Sequence, residues 1–284
     1  MSKQLSLLLF LLFTNCAPKA ILSPSTATQK YAPVEDFEPF VCLESDTIAF
    51  EHRDLISSIE IKDYGLTIDC DYESVKSLAI QETKKLGGNC LVISEHKMPT
   101  IWSTCHGIKG TVYRISNPKK YEYEIIWHQL RPLTIQDFKG STDKRPFLAA
   151  TYSSFRYTAK PQPKTNKLIL TVQTYFNCNL SYFKPTETDS MTLQHEQAHF
   201  DITEIYARKF IEKIHQEVHN LNDFKEKQKN ILDVVGQELQ LKQDEYDSGV
   251  YADNTKQPQW NMWIDKELQL TGKYSNKEIE INLK

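Results

Sequence analysis

The alternation of apolar and polar positions along this chain changes period twice, and the changes mark its organisation. Residues 56–61, 66–70, 90–94 and 108–115 are short apolar or alternating runs with strand character. Among them, Val75, Leu78, Ala79 and Leu86 recur at helical spacing. Asp71 suits the N-cap of a helix over residues 72–86, and Gly87-Gly88 supply the left-handed positions that end one. The order β-β-α-β-β predicts a small α+β unit over residues 40–116, with its helix on one sheet face. Residues 117–124 are polar, charged and Pro-containing, and mark a domain boundary. Beyond them, strands are expected over 147–157 and 168–176. The second alternates Leu168, Leu170, Val172, Thr174 and Phe176, so one face is buried. After Pro185 the period becomes helical: one long helix over 189–220, a second over 221–246 and a short third over 260–268. Alternation over 278–283 predicts a closing strand. The chain is therefore expected to be α+β in two domains, 40–116 and 125–284.

The beginning of the chain breaks this pattern. Lys3 precedes an apolar run over residues 5–13, shorter than the roughly 20 residues that span a bilayer. The run ends at Cys16 and resembles a bacterial lipoprotein signal, which implies a signal peptide over 1–16 and lipidation of Cys16. Residues 17–39, rich in Pro, Ser, Thr and Ala, read as a flexible tether. The expectation is a cell-envelope protein, lipid-anchored at the outer membrane or periplasmic face. That compartment oxidises thiols, so Cys42, Cys70, Cys90 and Cys105 are expected in disulfides, and a set of four allows three pairings among which the sequence does not choose. Cys178 is then a single thiol. A thiolate metal site from Cys70, Cys90, Cys105 and His106 is the weaker reading, because no C-x-x-C pair is present. A net charge of −3 without a dominant basic patch argues against a nucleic-acid partner.

The chemistry is concentrated in His195-Glu196-Gln197-Ala198-His199, an H-E-x-x-H motif inside the long predicted helix. Residues four apart on an α-helix lie about 40° apart in azimuth and about 6 Å apart along the axis, so both imidazoles can reach one metal ion. Glu196, about 100° around from His195, lies beside that ion as a candidate general base. Met191, Ala198, Ile202, Ile205, Tyr206 and Phe210 continue the histidine face and point it inward, until Lys209 and Lys213 interrupt it. Two buried histidines beside a carboxylate are costly unless something satisfies them, and zinc is one such partner. The bland alternative is a pair of hydrogen-bonded core histidines.

A catalytic zinc site needs a third protein ligand. Glu204 lies on the far side of the helix from His195, and no His follows His219. The candidates are therefore Glu245, Tyr246, Asp247 and Asp253, just after the second helix. His215 and His219 are also four apart, but they lack the intervening Glu and read as a solvated face.

Residues 125–268 resemble a family of predicted secreted zinc-dependent proteases of Gram-negative bacteria, itself of unknown function. The strings that carry the resemblance are Arg131-Pro-Leu-Thr-Ile-Gln-Asp-Phe-Lys-Gly140, Ala149-Ala-Thr-Tyr-Ser-Ser-Phe-Arg-Tyr157, Tyr175-Phe-Asn177 and Leu193-Gln-His-Glu-Gln-Ala-His-Phe-Asp-Ile202. The resemblance implies a zincin-like domain with His195 and His199 as ligands and Glu196 as base. In that family a Tyr-Asp pair after the second helix is followed shortly by a His. Here Tyr246-Asp247 is present, but Ala252 and Asp253 stand where that His is expected. The first domain, through Gly87-Gly-Asn-Cys-Leu-Val-Ile-Ser-Glu-His-Lys97 and Ser103-Thr-Cys-His-Gly107, is similar to one fused ahead of such proteases and implies no activity.

The function expected is a zinc metallopeptidase acting on envelope peptide or protein. The alternative is a non-catalytic envelope lipoprotein whose degenerate or structural metal site serves a binding or sensing module. The third ligand discriminates: a carboxylate that reaches the metal shared by His195 and His199 favours the enzyme.

Overall fold

The computed structural model describes residues 18–23, 30–45, 48–62, 70–100, 103–162, 165–185 and 189–284. Cys16, and the strand expected over 66–70 except for Cys70, lie outside them. The chain is α+β and divides into two compact units, Met1–Pro118 and Lys119–Lys284. Among the described residues no helix is long and apolar enough to cross a membrane.

In the first unit, β1 (Lys19–Leu22), β2 (Val41–Leu43), β3 (Arg53–Lys62), β4 (Cys90–Lys97) and β5 (Gly107–Ile115) form one sheet in the order β1-β3-β5-β4-β2. All neighbours are antiparallel except β2 and β4. Helix α1 (Tyr72–Lys85) places Val75 and Ala79 in a shared core with Ile59, Ile61, Leu91, Ile108 and Val112. Asp71 caps it, its carboxylate accepting from the Ser74 amide at 2.9 Å. Gly87 follows the helix at φ +80°, where a Cβ would sit 2.5 Å from that of Tyr31.

Three expectations for this unit need correction. The described parts of the expected tether over 17–39, residues 18–23 and 30–39, are ordered against the sheet and helix: β1 pairs with β3 from Lys19↔Lys62 to Leu22↔Ile59, and Val34 is buried with its amide bonded to the Lys84 carbonyl at 2.9 Å. Edge strands this short and exposed are held by backbone bonds, so they leave no alternating pattern in the sequence. The four cysteines form one bridge, Cys70–Cys105, with Cα atoms 4.9 Å apart, while Cys42 and Cys90 remain thiols. That bridge also removes the thiolate metal site. The element order gains β1 and β2 ahead of β3.

In the second unit β9 (Lys167–Asn177) is the central strand. β8 (Ser153–Gln162) runs along one edge of it, while β6 (Glu124–Ile126) and β11 (Glu278–Asn282) pair with the two ends of the other edge. Its alternating residues Leu168, Leu170, Val172 and Phe176 are buried, as the pattern required. Helix α2 (Asp189–Glu217) packs Ile202, Ile205, Phe210 and Ile214 into one cluster with Leu168, Leu170 and Val172. Helices α3 (Leu221–Ala252) and α4 (Gln257–Leu270) add Ile231, Val235, Tyr246 and Ile264 to it. Phe210 and Ile205 are fully buried, and truncating either costs about 2–5 kcal/mol.

Because α2 has neighbours on several sides, its polar residues are engaged too. Glu204 is fully buried between Arg208 at 2.8 Å and Lys277 at 3.1 Å. Lys209 and Lys213 do not end the inward face; they pair with Glu267 and Glu238 on the helices that cover it. Met191, expected to point inward, is 52% exposed. His215 and His219 are exposed.

The expected boundary over 117–124 belongs partly to this unit, since Glu122 is buried against Arg131 and β6 starts at Glu124. The strand expected over 147–157 is broken into β7 (Ala149–Ala150), paired with β10 (Tyr182–Phe183), and β8. Most consequential, α3 runs past Tyr246 to Ala252. Asp-Ser-Gly at 247–249 is poor in helix propensity, which hides this extension in the sequence. The packing explains Gly249: a Cβ there would lie 3.1 Å from the Trp260 indole nitrogen.

Candidate metal centre

The i, i+4 spacing on α2 brings the imidazoles of His195 and His199 together, Nε2 to Nε2, at 3.1 Å. The last turns of α3 face them. Asp247 Oδ1 lies 3.1 Å from His195 Nε2 and 3.0 Å from His199 Nε2, so three potential ligand atoms form a nearly equilateral triangle. Ligand atoms held about 2.0–2.1 Å from a zinc ion at tetrahedral angles lie roughly 3.3–3.4 Å apart, close to these edges. Among the described residues this is the one group of three His, Cys, Asp or Glu side chains with metal-ligand spacing.

Hydrogen bonding says what the triangle lacks. Gln243, one turn before Asp247 on α3, donates from Nε2 to the His199 carbonyl at 3.0 Å and to Thr203 Oγ1 at 3.3 Å. Its Oε1 therefore faces His199 Nδ1, at 2.6 Å, and that ring nitrogen must be the donor. A neutral His199 then presents a bare lone pair at Nε2, toward His195 and Asp247. A proton on His195 Nε2 can serve His199 but not also Asp247, and Asp247 Oδ1 is buried without a hydrogen-bond partner. A cation shared by the three atoms satisfies all of them at once. The donor set, two imidazoles and a carboxylate, is one zinc accepts.

The charges respond to the same crowding. Burial opposes ionisation of Asp247, but the two imidazoles outweigh it and hold the carboxyl well below the usual carboxylate range. Burial likewise opposes protonation of His199, and Asp247 reverses that and raises its proton affinity. Glu196 behaves in the opposite way. Its side chain is 3% exposed, Oε2 is buried without a partner, and burial raises its pKa, with His199 and His195 opposing and Asp247 adding. Thr151, in the kink between β7 and β8, fixes the backbone there by donating to the Glu196 carbonyl at 3.1 Å.

The remaining candidate ligands do not reach the triangle. Glu245 is exposed and pairs with Lys242 at 2.5 Å. Asp253 caps α3 and accepts from the Thr255 amide and hydroxyl at 3.1 and 2.6 Å. Tyr246 is buried; its ring stacks on His195 at 4.8 Å, and its hydroxyl donates to Gln257 Oε1 at 2.8 Å. Gln243 and Tyr251, whose ring lies 5.3 Å from that of His195, are absent from the sequence reading. Their signal was available: Gln243 and Tyr251 sit four residues either side of Asp247, so any helix that presents Asp247 to the histidines presents them as well.

On its outer side the cluster opens into a cavity of about 840 Å³, with His195 and Glu196 in its wall. The arrangement can hold a divalent cation and set a carboxylate base next to it, within a space that admits a substrate. No family model, curated protein or solved structure matches this chain, so the resemblance to secreted zinc-dependent proteases stands on the quoted strings alone.

Proposed function

We propose that this chain is a zinc-dependent peptidase in which His195, His199 and Asp247 hold the ion and Glu196 is the general base. The observation that carries the reading is the meeting of three ligand atoms at 3.0–3.1 Å, one of them a buried carboxylate oxygen with no hydrogen-bond donor. A zinc ion there would supply a Lewis acid for a peptide carbonyl and lower the pKa of water to about 7. Glu196 takes the proton from the attacking water at its unpartnered Oε2 and passes it to the leaving amine. Gln243 keeps the His199 proton on Nδ1 and so keeps Nε2 available as a ligand. The Cys70–Cys105 bridge fits an oxidising compartment such as the cell envelope, where we place the activity.

The deciding experiment is the metal content of the purified chain, wild type beside His199→Ala. About one zinc per wild-type chain and little in the variant is the expected result. Wild-type protein that holds no zinc after supplementation and dialysis ends the reading.

A further inference from the structure

The cavity that opens from Glu196 and His195 has a wall of unusual composition. Among the described residues that line it, Glu196 is the single charged side chain. Large apolar side chains converge on it from three separate segments: Phe147 and Leu148 precede β7, Met191 is in the first turn of α2, and Tyr251 is in the last turn of α3. They are 56%, 48%, 52% and 64% exposed, respectively. Single exposed apolar residues are ordinary on any surface, but convergence of several on one concave site beside chemical groups marks a ligand-binding wall. The Phe147 and Tyr251 rings face one another, 6.4 Å apart and 19° from parallel, and Tyr251 continues to within 5.3 Å of the His195 ring. The apolar wall is thus continuous with the metal-ligand cluster. The volume of about 840 Å³ lies in the upper part of the range for sites that enclose drug-sized ligands, enough for a short peptide segment.

We propose that this cavity is the specificity site of the peptidase, selecting a peptide with a large apolar or aromatic side chain next to the scissile bond and rejecting a charged one. The inference rests on the zinc-peptidase reading above. Binding of an apolar side chain removes both it and the half-exposed wall from water, which is favourable. A Lys, Arg, Asp or Glu side chain would lose its hydration and find no opposite charge except Glu196, which the reaction occupies.

The test uses the zinc-supplemented full chain and four hydroxamates, with affinity read by calorimetry. Acetohydroxamate reports the metal alone. Three peptidyl hydroxamates differ only in one side chain: benzyl, carboxyethyl or aminobutyl. The benzyl compound is expected to bind about 10- to 100-fold more tightly than acetohydroxamate, and the charged compounds no more tightly than acetohydroxamate. Leu148→Lys is expected to reduce the benzyl-to-acetohydroxamate ratio to a few-fold. Leu130→Lys, at a leucine 64% exposed and outside the cavity wall, is expected to leave that ratio unchanged. Equal affinity for all three side chains, or preference for a charged one, overturns the specificity inference while the metal site stands. Failure of every hydroxamate, acetohydroxamate included, overturns the metal reading beneath it.

Discussion

Gln243 and His199 are bonded to each other twice: the ring Nδ1 donates to Gln243 Oε1 at 2.6 Å, and Gln243 Nε2 donates back to the His199 carbonyl at 3.0 Å. The pair ties α3 to α2 at the level of the metal cluster and selects the imidazole tautomer. Gln243→Leu is therefore expected to weaken zinc affinity about 10- to 100-fold, the usual effect of losing the partner that orients a ligand histidine. Competition with a chromogenic chelator measures it. Gln243→Glu, which still accepts from Nδ1, should recover most of the affinity. If the leucine variant binds zinc as wild type does, the tautomer is set by something else.

Asp247 is a direct ligand in this reading, so Asp247→Ala should weaken zinc by more than Gln243→Leu does. Asp253→Ala and Glu245→Ala should bind zinc as wild type, since both side chains face elsewhere. The same chelator competition separates them. A zinc loss confined to Asp253→Ala would move the third ligand to the end of α3 and would require that helix to unwind.

For Glu196 the expectation concerns rate and pH together. In the zinc-loaded enzyme the acid limb of kcat/KM should report the ionisation of Glu196 and be absent from the Glu196→Gln variant. The sign follows from the role: the base works ionised, and activity disappears as pH falls through its pKa. Glu196→Gln should keep the zinc and lose on the order of 10²–10⁴ in rate at neutral pH. The substrate for both profiles is a quenched peptide with phenylalanine at the cleavage site. Hydrolysis that persists in Glu196→Gln assigns the proton transfer to another group.

The parts of this site that local geometry decides were legible before any fold. His195, Glu196 and His199 lie within two turns of one helix, and the helix period alone brings them together. Asp247 was one of four candidates, because its choice depends on α3 continuing through Asp-Ser-Gly and on where α3 crosses α2. Neither follows from a local pattern. The long α2 and the alternating β9 showed themselves by period, whereas β1 and β2 gain their order from strand neighbours and carry too few residues to show one. The Cys70–Cys105 pairing likewise depends on α1, β4 and β5 having already packed. Lys209 misled in the same way: its charge reads as a break in the inward face until a second layer of helices, with Glu267, covers it.

Arg131 is held by carboxylates on both sides, with Asp137 Oδ1 and Oδ2 at 2.9 and 3.0 Å and Glu122 at 3.1 Å, all three side chains buried. Asp137 also accepts from the Thr134 amide at 2.7 Å, and the loop it closes sends the Leu133 amide to Gln197 of the metal-binding motif, also at 2.7 Å. Arg131→Met strands two buried carboxylates and should cost about 3–5 kcal/mol of stability at neutral pH. The pH dependence distinguishes this cause from simple loss of packing. In the wild type, burial pushes the Asp137 pKa up, but Arg131 and Thr134 outweigh it, so the carboxyl titrates below its ordinary range. Such a group contributes stability that is complete above its unfolded pKa of about 3.9 and is lost as pH falls through the folded value. Without Arg131 the buried carboxyl has no cation beside it and takes up a proton more readily, so acidification to pH 4.5 relieves the variant while the wild type keeps this contribution in full. Urea midpoints at pH 7.5 and pH 4.5 should therefore converge, the deficit of Arg131→Met shrinking at the lower pH. A deficit equal at both pH values would mean that Arg131 stabilises the loop by packing and not by holding the Asp137 charge.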